Sequence, residues 1–157
     1  MKNRIYIIGN SHSGKTTFAK KWNDKLNISF LELDTIYQTS RAEQRLQDLF
    51  VKTVNSFIDS HKSWIIEGVY TQVSDTILAA SNYLVYLDVD KSEVLENAKK
   101  VSNSESRIKF IESYYQDERK HVTNGNIIYS KGFHDKIYDN YNKKKVKLKT
   151  AYSHEVY

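Results

Sequence analysis

Residues Gly9-Asn-Ser-His-Ser-Gly14-Lys15-Thr16 form the pattern G-x-x-x-x-G-K-T without a mismatch. The apolar run 5–8 precedes this stretch, and residues 17–22 have the pattern of a helix start. A glycine-rich loop between a strand and a helix is the context in which this pattern marks a phosphate-binding loop. The sequence therefore predicts that a nucleoside triphosphate is bound by Gly9, Asn10, Ser11, His12, Ser13, Gly14, Lys15, Thr16 and Thr17.

Each part of that loop has an expected chemical role. Glycines allow the backbone N–H groups to converge on phosphate oxygens, and the helix N-terminus adds a favourable dipole. Lys15 is expected to reach the β- and γ-phosphates, and the Thr16 hydroxyl is expected to ligate Mg²⁺.

Length and composition restrict the class of protein. A chain of 157 residues, 39% of them hydrophobic, suits one globular domain with a single sizeable core. The chain has no cysteine, which excludes disulfides and thiolate metal sites. No apolar run approaches the roughly 18 residues that a membrane-spanning helix needs. We therefore expect a cytoplasmic protein without a membrane partner.

The positive charge is concentrated near the end of the sequence. Residues 143–149 carry five lysines and no acid, which equals the formal net charge of +5. The favoured interpretation is a domain over residues 1–142 followed by a solvated basic tail over residues 143–157. The alternative is a weak contact of this tail with nucleic acid.

Short apolar runs alternate with longer amphipathic stretches. The runs predict strands, and the stretches predict helices that cover both faces of a parallel sheet. The expected fold is a three-layer α/β/α P-loop domain with a mainly parallel five-stranded sheet. The predicted strands are Arg4–Ile8, Ser29–Leu33, Trp64–Glu67, Tyr83–Asp88 and Asn126–Ser130; the predicted helices are Lys15–Leu26, Arg41–Ser60, Ser74–Ala80, Lys91–Val101, Glu105–His121 and Phe133–Asn142.

Two acidic residues follow predicted strands. Ligands of parallel sheets bind beyond the carboxyl ends of the strands. Asp34 is therefore a candidate to accept the proton of an attacking hydroxyl or to hold a metal-bound water, although it could simply cap a helix. Glu67 is a candidate metal-organising carboxylate, or else a polar residue in a turn. Glu32 should point away from Asp34 by strand alternation and is interpreted as a surface or helix-facing residue.

Two arginines are candidates for stabilising the transferred phosphate. Arg107 and Arg119 bracket an amphipathic helix between the fourth and fifth predicted strands, where small kinases place a mobile lid. The alternative is that each forms an ordinary ion pair on the helix surface, with Glu112 or Glu118.

The combined motifs resemble a known group. The loop, Leu33-Asp34, the segment Trp64–Tyr70 and the strand ending at Leu87-Asp88 are similar to the adenylate-kinase-related P-loop proteins that are often labelled DNA topology modulation proteins (FlaR-like). Members carry a segment like W-I-I-D-G-N-Y, matched here with Glu67 for Asp and Val69 for Asn. The resemblance covers about residues 3–142.

The resemblance implies an ATP- and Mg²⁺-dependent phosphotransferase of the nucleoside or nucleotide kinase type. ATP would lie on the loop, and Asp34 would lie at a small-molecule acceptor. Where members tend to have an arginine, about nine residues after the glycine, this chain has Ile77. Three alternatives stay open: an NTP-binding protein associated with nucleic acid, a polynucleotide 5′-hydroxyl kinase, and a degenerate relative that binds nucleotide with little activity.

Overall fold

The computed structural model describes residues 2–39, 44–116, 121–123, 126–128 and 130–152. Strands and helices alternate along the chain, as the sequence predicts. In order they are β1 (Arg4–Gly9), α1 (Lys15–Leu26), β2 (Ser29–Glu32), α2 (Leu33–Thr39), α3 (Gln44–Ser60), β3 (Trp64–Glu67), α4 (Thr71–Ala80), β4 (Tyr83–Leu87), α5 (Lys91–Val101), α6 (Glu105–Tyr115), β5 (His121–Thr123), β6 (Asn126–Ile128), α7 (Lys131–Asn140) and β7 (Lys144–Leu148).

The main sheet has five strands in the order β2-β3-β1-β4-β7. Every pairing in it is parallel. From the central strand β1 the chain moves first to β2 and β3, and later to β4 and β7 on the other side. The carboxyl end of β1 therefore lies where the strand order reverses, which is the usual ligand position in such sheets.

Two hydrophobic clusters lie on the two faces of this sheet, because side chains alternate along each strand. One includes the buried faces of α1, α5 and α6, and the other includes those of α2, α3, α4 and α7. The first cluster contains, among others, Ile5, Ile7, Phe18, Trp22, Val85, Val94 and Ile111. The second contains, among others, Tyr6, Ile8, Leu33, Phe50, Val54, Ile66, Ile77 and Tyr86.

Helix α1 connects the first cluster to the loop before it. Its buried face carries Phe18, Ala19 and Trp22, whose spacing places them on one side of the helix. The Phe18 and Trp22 rings stack with centroids 5.3 Å apart, and Trp22 also lies 6.3 Å from the ring of Tyr83. The sheet therefore holds the helix that follows the glycine-rich loop.

The predicted fifth strand is wrong. Residues 126–128 form β6, which pairs antiparallel with β5 in a separate two-stranded sheet. The fifth strand of the main sheet is β7, which pairs with β4 along its whole length. The lysine-rich stretch is therefore an edge strand and not a solvated tail. The predicted domain boundary after residue 142 separates this strand from the sheet that it completes.

Each of the five lysines in residues 143–149 has a partner within the chain. Lys144, Lys145 and Lys147 lie over tyrosine rings at 4.8–5.1 Å from the centroids. Lys143 donates to the carbonyl oxygens of residues 79 and 81, and Lys149 donates to an aspartate. These contacts explain how a basic stretch forms a strand, since the lysine stems cover aromatic surface. They give the alternative of a nucleic-acid contact no support.

Other boundaries also differ from the predictions, two of them near the candidate site. Residues 33–39 form helix α2, where the sequence analysis continued strand β2 to residue 33. Helix α6 ends at Tyr115, and the predicted end at His121 falls in β5.

None of the helices in the described part of the chain combines the length and apolar character that a membrane crossing requires.

The position of β7 can be tested with a pair of leucines. Leu148 is 8% exposed in the first cluster, whereas Leu49 is 55% exposed on α3. We expect Leu148→Ala to lower the free energy of unfolding by about 2–5 kcal/mol, because it removes buried methyl groups. Leu49→Ala should change it by less than about 0.5 kcal/mol. Equal effects in urea unfolding would contradict the assignment of β7 to the sheet.

Candidate functional site

The loop between β1 and α1 has a backbone that only glycine allows at two positions. Gly9 has φ +155°, and a Cβ there would lie 2.8 Å from the Leu87 carbonyl oxygen. Gly14 has φ +89°, and a Cβ there would lie 2.6 Å from the Cβ of Ala151. A side chain at either position would require the neighbouring chain to move. The glycines therefore let the loop pass close to β4 and to the segment after β7.

Side chains on neighbouring helices hold the middle of the loop. The Asn97 amide on α5 donates to the His12 carbonyl oxygen at 3.3 Å. The Asn10 amide donates to the Ile111 carbonyl oxygen on α6 at 3.5 Å. Helices α5 and α6 thus determine the position of the loop.

The remaining loop residues hydrogen-bond within the loop or lie at its surface. The Ser11 N–H donates to Asn10 Oδ1 at 2.8 Å, and the Ser13 N–H donates to the Asn10 carbonyl oxygen at 3.2 Å. Lys15 Nζ donates to the same carbonyl oxygen at 2.8 Å. Thr17 is exposed on the first turn of α1. The Lys15 ammonium therefore lies over the loop.

Thr16 and Glu67 are in direct contact. The Thr16 hydroxyl donates to Glu67 Oε1 at 2.6 Å, across 51 residues of sequence. Glu67 is 1% exposed, and its Oε2 has no hydrogen-bond partner among the described residues. Burial raises the pKa of Glu67, and the charges of Asp34 and Glu32 raise this pKa further. The Lys15 charge and the Thr16 hydrogen bond act in the opposite direction.

Asp34 lies in the first turn of α2, directly after β2, and is exposed. Its Oδ1 accepts a hydrogen bond of 2.5 Å from the Tyr70 hydroxyl. Its charge acts on the pKa of Glu67, which hydrogen-bonds to the loop. Asp34 therefore lies near Glu67 and has an accessible carboxylate.

Glu32 is a further acidic residue at this edge, which the sequence analysis interpreted as a surface or helix-facing residue. It is the register neighbour of Glu67 in the pairing of β2 with β3, so the two carboxylates are on adjacent strands and the same face. The spacing Glu32-Leu33-Asp34 was the available signal, since both acids flank the end of the strand. Among the described residues, no three His, Asp or Glu side chains converge as a metal-binding group.

Arg107 lies close to the loop. It is in the first turn of α6, which Ser104 caps. The Arg107 charge and the Lys15 charge both lower the pKa of His12, after the larger effect of burial. The Arg107 Nη1 atom is buried and has no hydrogen-bond partner within the described chain. A guanidinium with an unsatisfied donor beside the loop is suited to a phosphate oxygen. Arg119 lies outside the described residues.

A buried polar chain connects α6 and α7 to β4. The Tyr114 hydroxyl hydrogen-bonds to Tyr86 at 3.1 Å and to His134 Nδ1 at 2.7 Å. Burial lowers the pKa of His134 to about 3, and the Lys15 charge contributes in the same direction. His134 is therefore neutral in the folded chain at neutral pH.

This histidine predicts how stability depends on pH. The unfolded chain protonates His134 near its ordinary pKa of 6.5, whereas the folded chain does so only near pH 3. Unfolding therefore takes up a proton between these values, and stability falls as the pH falls. We expect a loss of about 2 kcal/mol between pH 7.5 and pH 5 from this group. Urea unfolding of His134→Asn should show a smaller loss over this range, whereas His61→Asn should keep the wild-type loss.

No family model matches the chain. Shikimate kinase from Sulfurihydrogenibium sp. (strain YO3AOP1) is 27% identical over 139 residues, which cover 78% of this chain and 82% of that protein. Among solved structures, shikimate kinase from Bacteroides thetaiotaomicron is 21% identical with a TM-score of 0.54, covering 71% of this chain and 75% of that chain.

Two further structures are similar at lower identity. Shikimate kinase from Aquifex aeolicus vf5 is 19% identical with a TM-score of 0.54, covering 92% of this chain and 85% of that chain. A gluconokinase from Sinorhizobium meliloti 1021 is 12% identical with a TM-score of 0.54, covering 94% and 83%. These similarities confirm the predicted P-loop kinase fold. They do not support the narrower resemblance to the FlaR-like group. Ile77, which stands where members of that group tend to have an arginine, is a fully buried core residue.

Proposed function

We propose that this chain is an ATP-dependent kinase that transfers the γ-phosphate to a hydroxyl group of a small molecule. The observation that carries the proposal is the contact of Thr16 with Glu67 beside Lys15, which joins the glycine-rich loop to the end of β3. The similarity to shikimate kinases and a gluconokinase supports the same reaction class. ATP dependence suits the expected cytoplasmic location.

The donor side of the reaction rests on three kinds of group. Backbone N–H groups of the loop would bind the phosphates, and Lys15 would bridge the β- and γ-phosphates. Arg107 would approach the same phosphates from α6, and its unsatisfied Nη1 supports this role. We give Arg119 the corresponding role on the sequence evidence alone.

The residues present suit Mg²⁺. Hydroxyl and carboxylate oxygens are its preferred protein ligands, and it keeps several waters when it binds a nucleotide. Thr16 would supply one ligand, and Glu67 would accept hydrogen bonds from bound water through its unsatisfied Oε2. Asp34 would hold a further water. When bound, Mg²⁺ neutralises charge on the phosphate oxygens.

Asp34 would act on the acceptor. Its exposed carboxylate would orient the acceptor hydroxyl and take its proton. The acceptor oxygen forms a bond to the γ-phosphorus as the bond from that phosphorus to the β–γ bridging oxygen breaks. ADP leaves with the bonding electron pair. Tyr70 would hold the Asp34 carboxylate in place through its hydrogen bond.

Two measurements test the proposal. Calorimetry with Mg·ATP and with Mg·GTP tests nucleotide binding. ADP formation across nucleosides, nucleotides, sugars and 5′-hydroxyl oligonucleotides tests transfer. We expect binding of Mg·ATP and transfer to a small molecule. Absence of binding would refute the proposal, and binding without any transfer would favour a degenerate relative.

A further inference from the structure

The acceptor side of the site is formed by two short segments that lie side by side. Glu32 and Glu67 are register neighbours at the ends of β2 and β3. Asp34, two residues after Glu32, is hydrogen-bonded to Tyr70, three residues after Glu67. Glu32 and Glu67 therefore lie on neighbouring strand ends, and Asp34 follows directly after β2. The buried Glu67 Oε2, which has no hydrogen-bond partner in the described part of the chain, adds an unsatisfied acceptor there.

The described cations nearby either face the nucleotide or have other partners. Arg107 lies beside the phosphate loop, where the nucleotide would use its guanidinium. Lys15 lies over the phosphate loop, where the nucleotide would use its charge. On the β7 side, Lys131 and Lys149 are ion-paired with Asp88, and Lys147 with Asp135. Acidic charge therefore dominates beside Asp34. An incoming carboxylate or phosphate would be repelled at short range, whereas a hydroxyl group would find hydrogen-bond acceptors.

An aromatic cluster forms the adjoining wall. The rings of Tyr37 and Tyr70 have centroids 4.4 Å apart, and the Phe50 ring lies 5.4 Å from Tyr37 and 5.5 Å from Tyr70. Tyr37 and Phe50 are buried, while Tyr70 is only half-buried and carries the hydroxyl bound to Asp34. An amphipathic ring beside carboxylates suits a ligand with C–H faces and hydroxyl edges.

We propose that the phosphate acceptor is an uncharged polyhydroxy compound of the sugar or polyol class, selected against acceptors that bear a carboxylate or a phosphate. The inference rests on the proposed kinase function and concerns its acceptor. Asp34 takes the proton of the attacking hydroxyl, and the acidic charge of Asp34 and Glu32 excludes anions. The aromatic wall contacts the apolar face of the acceptor.

The experiment compares acceptors in matched pairs with the full-length chain and Mg·ATP. Each pair has a neutral and an anionic member: glucitol with gluconate, methyl shikimate with shikimate, and ribose with ribose 5-phosphate. We expect kcat/KM to be at least tenfold higher for the neutral member of any pair that is phosphorylated. A higher value for an anionic member overturns the inference. A panel in which no member is phosphorylated overturns it as well.

A variant with one acidic charge fewer tests whether electrostatic repulsion causes the preference for neutral acceptors. Glu32→Gln removes one acidic charge and should reduce the neutral-to-anionic ratio severalfold, and raising the ionic strength should reduce it in the same direction. Glu96→Gln, an exposed acid on α5, should leave the ratio unchanged. A ratio that neither Glu32→Gln nor salt alters overturns the electrostatic argument. Mg·ATP binding that depends on Lys15 is measured separately. A failure of the inference about the acceptor can therefore be distinguished from a failure of the proposed kinase function.

Discussion

Lys15→Ala is expected to lower phosphate transfer by at least about 10²–10³-fold, measured as ADP formation with the acceptor that gives the highest turnover. The ammonium lies over the loop, bound to the Asn10 carbonyl oxygen, and is positioned to meet charge on the γ-phosphate. Alanine cannot supply that charge. The fold should persist, because the side chain is only partly buried.

The control for this variant is Lys20→Ala, which removes an exposed lysine from the same helix. The rate of ADP formation by this variant should stay within about twofold of the wild-type rate, because an exposed surface lysine away from the loop contributes little to phosphate transfer or to stability. Comparable losses in both variants would indicate a general effect of charge on α1. Normal turnover by Lys15→Ala would remove the proposed site.

Asp34→Asn is expected to lower kcat by about 10²-fold or more while nearly preserving the affinity for Mg·ATP. Asparagine keeps the size of the side chain and can still accept a hydrogen bond from Tyr70, but it cannot take a proton from the acceptor. Calorimetry with Mg·ATP and steady-state kinetics on the same preparation separate the two effects.

Asp24→Asn, an exposed aspartate on α1, provides the comparison and should match the wild type in both measurements. If Asp34→Asn instead lost Mg·ATP binding, Asp34 would act through the metal or through the local structure. A large rise in KM for the acceptor with an unchanged kcat would point to binding of the acceptor alone.

The glycine-rich half of the site could be predicted because its signals are local. The boundaries of α1 and β3 match the predicted ones, since the loop pattern and the apolar runs determine them directly. Thr16 approaches Glu67 because parallel topology brings the strand ends to one edge. Asp34 was located beside them for the same reason.

Strand β7 and the position of Glu32 depend on contacts that no local sequence pattern encodes. Residues 144–148 form a strand because lysine stems cover the ring of Tyr138 and the rings of Tyr83 and Tyr86, of which the last two lie far away in sequence. A count of lysines instead indicates a solvated segment. Glu32 was interpreted as a surface or helix-facing residue because strand alternation describes one strand, whereas its neighbour Glu67 belongs to another.

The aromatic stack on α1 gives the protein an intrinsic optical reporter. Trp22 lies two turns after the glycine-rich loop, against Phe18, and the second tryptophan, Trp64, is the register neighbour of Arg4 at the opposite end of β1. A shift in emission on titration with nucleotide would therefore originate at Trp22. Fluorescence of a Trp64→Phe variant would then follow occupancy of the loop in solution without any attached dye.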